Sequence, residues 1–149
     1  MKVSRVIAAP RSRVFAAWMS KDAVAEWLPP AGMSARIDHF DARIGGGYRM
    51  TLTYDGSGHG KTTTDTDVVN VTFDEIVLDE RIVQATTFDT KDAAFAGTMT
   101  LTWTFADAEP GGGTRVTVEV ANAPRGITDA DHEKGISSTL DNLATYVTR

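Results

Sequence analysis

From Met33 to Val120 the apolar residues of this chain recur at every second position, and after Thr128 they recur at every third or fourth. A curved antiparallel sheet wrapped around one long C-terminal helix is what that switch of period predicts. The clearest run is Tyr48, Met50, Leu52 and Tyr54, set between Arg49, Thr51 and Thr53. The alternation returns at Val69-Val71-Phe73, at Met99-Leu101-Trp103-Phe105 and at Val116-Val118-Val120, and more weakly at Ile82-Gln84-Thr86-Phe88. Successive strand side chains point to opposite faces, so each run buries one face and turns the other, rich in threonine, toward water. Turn-forming clusters separate the runs: Gly45-Gly46-Gly47, Asp55-Gly56-Ser57-Gly58, Leu78-Asp79-Glu80 and Pro110-Gly111-Gly112-Gly113. Such punctuation suits a meander of antiparallel strands, about six after the helical segments.

Ahead of the meander, Lys2 to Ala8 reads as a short strand, and Pro10 is placed as a first-turn residue of a helix carrying Val14, Phe15 and Trp18 on one face. A second short helix, from about Lys21 to Leu28, is stopped by Pro29-Pro30. The last element opens at Thr128, whose hydroxyl can cap the first turn with Asp131 three residues on, and runs nearly to Arg149. Its stripe is His132, Ile136, Leu140, Leu143 and Val147. A single sheet cannot leave its apolar face bare, and this helix with the short pair is the cover available. The prediction is one α+β domain over residues 1–149: six or seven strands, a long C-terminal helix, and two short helices after the first strand.

At 149 residues the chain can bury a core without staples, and it has no cysteine, which excludes disulfides, thiolate catalysis and cysteine zinc sites. No apolar run reaches about 18 residues and no signal-peptide block opens the chain, so no membrane insertion and a cytoplasmic location are expected. The formal net charge of -5 argues against nucleic acid as a partner.

Several segments together resemble the START-related (SRPBCC, Bet v 1-like) helix-grip proteins, and within them the branch similar to the ATPase activator of the 90-kDa heat-shock chaperone. They are Ala9-Pro10 with Val14-Phe15 and Ala17-Trp18, then Trp27-Leu28-Pro29, Asp41-Ala42-Arg43-Ile44-Gly45-Gly46, and Phe73-Asp74-Glu75-Ile76-Val77 with Arg81-Ile82-Val83. Further on come Gly113-Thr114-Arg115-Val116-Thr117, Gly126-Ile127, Asp131-His132, Gly135 and Leu140-Asp141-Asn142-Leu143-Ala144. The resemblance implies a helix-grip fold with a cavity between the long helix and the sheet, whose ligand differs between members. It implies no shared catalytic set.

The inward residues Trp27, Tyr48, Met50, Tyr54, Phe73, Met99 and Trp103, facing His132, Ile136, Thr139 and Leu143 on the helix, are the expected lining of a site for a hydrophobic or aromatic small molecule. The plainer account of most of them is core packing; Tyr48, Tyr54 and Trp103 stand apart because each brings a polar hydrogen that needs a partner once buried. His132 is placed to exchange a proton near neutral pH or to bond a ligand carbonyl, with packing near a helix start as its plainer account. The leading reading is a binding domain rather than a dedicated enzyme. A cyclase-like or hydrolase-like enzyme using Tyr54 or His132 is the second reading, and a chaperone-activating, protein-binding module the third. No cofactor is called for, and His39, His59 and His132 lack the short spacing of metal ligands. Gly58-His59-Gly60-Lys61-Thr62 lacks the first glycine of a phosphate loop, where Asp55 stands, and reads as a mobile hairpin tip. Glu75, Arg43 and Arg49 are expected in exposed ion pairs of small worth. Short edge strands leave self-association into a homodimer open.

Overall fold

The computed structural model describes residues 1–56, 60–109 and 111–149. The chain runs β1 (Lys2–Ile7), α1 (Arg11–Ala16), α2 (Lys21–Trp27), β2 (Met33–Phe40), β3 (Gly47–Tyr54), β4 (Thr66–Val77), β5 (Arg81–Phe88), a single 3-10 turn (Ala93–Phe95), β6 (Met99–Ala108), β7 (Gly113–Ala121) and α3 (Asp129–Thr148). All seven strands form one antiparallel sheet in the order β1-β7-β6-β5-β4-β3-β2. Each of β2 to β7 therefore lies beside its neighbour in sequence, and β1 returns to the far edge to pair with β7, Val3 opposite Val118. This is the helix-grip arrangement expected from the sequence, with the 3-10 turn as an unforeseen addition.

The capping chemistry accounts for where the helices begin. Ser20 caps α2, its Oγ accepting from Ala23 N at 3.4 Å, and Thr128 caps α3, accepting from Asp131 N at 3.1 Å. Pro10 takes the N-cap of α1 in an extended conformation rather than a place inside its first turn. In the tight turn joining β4 to β5, Asp79 adopts φ 60°, a left-handed conformation that short polar side chains tolerate. Gly47 is needed for a different reason: a Cβ there would stand 1.9 Å from the Val71 carbonyl oxygen.

The apolar parity of the strands becomes the concave face. Across it, register aligns Tyr48, Val71, Thr86 and Met99, then Phe73, Gln84 and Leu101, then Ile82, Trp103 and Val118. Over this face lie α1, α2 and the later turns of α3, which bury Ile136, Thr139, Leu140, Leu143, Ala144 and Val147. Three indoles meet at the centre: Trp18 lies 4.9 Å from Trp27 and 5.1 Å from Trp103, both edge to face. Such pairs add directionality to the area term, which for each fully buried large side chain is about 2–3 kcal/mol.

Candidate functional site

Counting back by two from Val69 along the inward face of β4 reaches Asp67, a carboxylate only 3% exposed. Its partners come from neighbouring segments. Tyr54, the last residue of β3, donates its phenolic hydrogen to Asp67 Oδ2 at 2.7 Å, and Lys61 donates from Nζ to the same oxygen at 2.9 Å and from its backbone N to Oδ1 at 2.7 Å. Lys61 Nζ also donates to the Tyr54 hydroxyl at 3.2 Å, and its ammonium lies over three rings: Phe88 at 5.3 Å, Phe95 at 5.6 Å and Tyr54 at 5.9 Å. Residues 61 and 62 are held down as well. Thr90 Oγ1 donates to Lys61 O at 2.7 Å, and Val68 N donates to Thr62 Oγ1 at 2.8 Å. Gly58 and His59 of the expected hairpin tip lie outside the described residues, but Lys61 and Thr62 fold back onto the sheet instead of projecting from it.

Electrostatics fixes the protonation of this cluster. Burial raises the Tyr54 pKa, and the hydrogen bond to Asp67 raises it further, so the phenol keeps its proton at neutral pH. For Lys61 burial is the largest single influence and pulls the pKa down, but the hydrogen bond and charge of Asp67, with Tyr54 adding, outweigh it and leave the ammonium charged. Above them stands His132, half-buried on the first turns of α3. Burial and then the charge of Lys61 hold its imidazole below the ordinary histidine pKa, against the opposing pull of Asp129. The result is a fixed cation, a protonated phenol and a neutral imidazole at one end of the sheet.

This end is also where α3 is least packed. Residues 129–135 contain no buried side chain, and a Cβ at Gly135 would meet nothing within 4 Å. The segment leading into α3 is anchored beside this cluster: Gly126 N donates to Ala94 O at 2.8 Å, and a Cβ on Gly126 would come within 2.7 Å of the Phe95 ring.

The sequence-expected lining divides in two. Tyr54 belongs to the Lys61–Asp67 cluster and His132 lies near it, with Ile136 next along as the first buried residue of α3. Trp27, Tyr48, Met50, Phe73, Met99, Trp103 and Leu143 are core, each 4% exposed or less. Trp27 donates its indole hydrogen to Ala17 O at 3.0 Å, and Thr139 donates to Leu28 O at 2.8 Å, so both tie helices together. Burial raises the Tyr48 pKa far above its ordinary value. Lys61, Asp67, Phe88 and Phe95 were missed by sequence reasoning; the acid at inward parity in β4 was the available signal. Surface clefts of about 490 Å³, bounded by Arg13, Ser20, Tyr146 and Arg149, and about 320 Å³, bounded by His39, Asp41 and Gly46, lie elsewhere and include none of the expected lining. The expected ion pairs are present at the surface, Arg43 with Asp41, Arg49 with Asp89 and Glu75 with Arg81.

A family model described as activator of Hsp90 ATPase homolog 1-like protein matches residues 8–148. The chain belongs to that family. Comparison with curated proteins gives no significant match. Among solved structures, the activator-homolog-like chain is similar to protein CV1439 from Chromobacterium violaceum, at 28% identity and a TM-score of 0.85 over 100% of this chain and 97% of that one. It shares its fold with an AHSA1-like protein from Aeromonas hydrophila, at 22% identity and a TM-score of 0.67 over 99% and 92% of the two chains. The fold recurs in DynU16, a protein of the dynemicin biosynthetic locus, at 18% identity and a TM-score of 0.69, where this family member covers 46% of the longer chain and 99% of its own.

Proposed function

We propose that this domain binds a small, largely apolar molecule between the N-terminal half of α3 and the concave face of β3 to β6, with the polar end of that molecule at Lys61, Tyr54 and His132. One observation carries the reading: a lysine whose side chain is 17% exposed and whose Asp67 partner is 4% exposed sits inside a ring of aromatic side chains, near the stretch of α3 that has no fully buried side chain. A purely structural core has no use for a desolvated cation at its edge, since burying such a pair contributes little net stability. Occupancy requires the first turns of α3 to lift. The cost is small because residues 129–135 contain no fully buried side chain, His132 being only half-buried.

The test is native mass spectrometry and thermal shift of the whole chain against aromatic, lipid and polyketide-like compounds, repeated with Lys61→Met. A stabilising compound whose effect Lys61→Met weakens at least tenfold supports the reading; a compound that binds both proteins equally places its polar end elsewhere, and no binding by any class ends it.

A second reading is favoured by Lys61 linking two ionisable groups, as it bonds the Tyr54 hydroxyl and its charge acts on His132. Neutral His132 is a base and protonated Tyr54 an acid, the pairing a proton-transfer enzyme would use. Turnover of a bound compound that His132→Gln abolishes without loss of binding would select it. The chaperone-activating role in the family description is tested by stimulation of the chaperone ATPase, which the small-molecule reading predicts to be absent.

A further inference from the structure

The surface cleft of about 490 Å³ is formed where α1 and α2 meet the last turn of α3, and it shares no residue with the Lys61 cluster. Its floor is built from short apolar side chains. Ala17 and Ala23 are 4% exposed and Val147 5%, with Ala16 beside them. Longer residues at positions 16, 17 and 23 would fill this space, and alanine leaves it open.

The walls are cationic. Arg13 comes from the last turn of α1 and Arg149 from the C-cap of α3, while Ser20 and Tyr146 bring a hydroxyl each; among the described residues no acid lines the cleft. The two guanidiniums differ in what holds them. Arg149 is fixed, donating from Nη2 to Glu26 Oε1 at 2.7 Å and lying 4.7 Å from the centre of the Tyr146 ring. Arg13 bonds to none of the described residues. In a chain of net charge -5 most arginines hold a carboxylate, and Arg13, which has none, is on the wall of a concavity.

A guanidinium presents paired N–H donors in one plane, a geometry that matches the two oxygens of a carboxylate. Ser20 Oγ already accepts from Ala23 N, so its hydrogen remains to be donated. The cleft therefore combines a donor set that calls for an oxyanion with a floor that calls for an apolar body. We propose that it is a second binding site, separate from the function proposed above, for a small organic carboxylate. The carboxylate accepts from Arg13 and Arg149, and the apolar body lies on Ala16, Ala17, Ala23 and Val147. A bare anion leaves that floor uncovered, and an uncharged molecule of the same shape leaves Arg13 unpaired. Because the bound carboxylate joins α1 to the end of α3, occupancy also raises Tm with ligand concentration.

The test uses 2-naphthoate, its uncharged isostere 2-naphthamide, and acetate, each titrated at low salt into the whole ¹⁵N-labelled chain. Naphthoate should bind about tenfold or more tightly than either of the others. It should move the backbone resonances of Ala16, Ala17 and Ala23 and leave those of Phe88 and Phe95, at the Lys61 cluster, in place. Arg13→Gln should weaken naphthoate by about tenfold or more and leave the Tm of the free protein unchanged, since the side chain is exposed. Ala16→Leu, at an exposed helical position, adds bulk to the floor without removing charge and should weaken naphthoate too. Equal affinity for naphthoate and naphthamide, an acetate affinity matching that of naphthoate, or no naphthoate binding at millimolar concentration overturns the inference. Binding that survives Arg13→Gln and disappears in Lys61→Met overturns it as well, because the compound then occupies the Lys61 cluster and supports only the function proposed above.

Discussion

At one end of the concave face α1, α2 and the last turns of α3 close over Phe15, Trp18, Trp27, Trp103 and Phe105, none more than 3% exposed. At the other end the first turns of α3, which hold His132 half-buried and no fully buried residue, lie near Tyr54, Lys61 and Asp67. The same sheet and the same helix supply both. The difference is that the aromatic end concentrates apolar area, which is what holds a domain of this size together, so the other end can keep a charged pair and a loosely seated helix end without unfolding the whole. Apolar packing and the charged cluster lie at opposite ends of one helix.

That division is broken or sharpened by four experiments. Trp18→Ala should cost about 3–5 kcal/mol in urea unfolding, the usual range for deleting a buried aromatic; a loss below about 2 kcal/mol would mean that the aromatic end does not carry the stability. Asp67→Ala should cost about 3 kcal/mol, because it strands the Lys61 ammonium and the Tyr54 hydroxyl, and adding Lys61→Met should restore most of the loss. If the double variant is no more stable than the single, the pair is not coupled as the geometry requires. Thr128→Ala should cost about 1 kcal/mol and speed amide exchange in the first turns of α3 while exchange at Leu140 and Leu143 stays unchanged. Uniform acceleration along the helix would show that its two halves open together.

The smallest effect concerns pH. His132 has its folded-state pKa depressed by burial first and the Lys61 charge second, with the amino-terminal charge of Met1 adding and Asp129 opposing. A depressed value favours the neutral imidazole in the folded protein, so its contribution to stability is complete above the unfolded pKa of about 6.5 and is lost as pH falls through the lower folded value. His132→Gln should remove that acid-side loss. Lys61→Met should move the His132 midpoint upward in an NMR titration, and no movement would separate the two groups.

The strands, their inward parity and the cap of α3 were legible in the sequence because each rests on local pattern: period two, turn residues, and a hydroxyl three residues before its donor. Tyr54 and His132 were legible as polar residues on apolar faces. Lys61 was not, since its role depends on a fold-back that brings it to Asp67 across residues distant from either regular element, and glycine and threonine around it read as a loop. Gln84 and Thr86 were visible as a weakened alternation, but weakness of pattern has no direction. Only register, which sets Gln84 beside Phe73 and Leu101, turns it into a buried and unmatched amide.

The strand order also sets a timetable for folding. From β2 to β7 every pairing joins neighbours in the chain, so hairpins can form one after another as the polypeptide leaves the ribosome. β1 is the exception, made first and pairing with β7, Lys2 against Glu119, across most of the sequence. β1 therefore waits until synthesis has passed residue 121, and the first strand of the sheet to be made is among the last to find its place. Pulse-labelled amide exchange during refolding should show protection in the β3–β4 hairpin before β1.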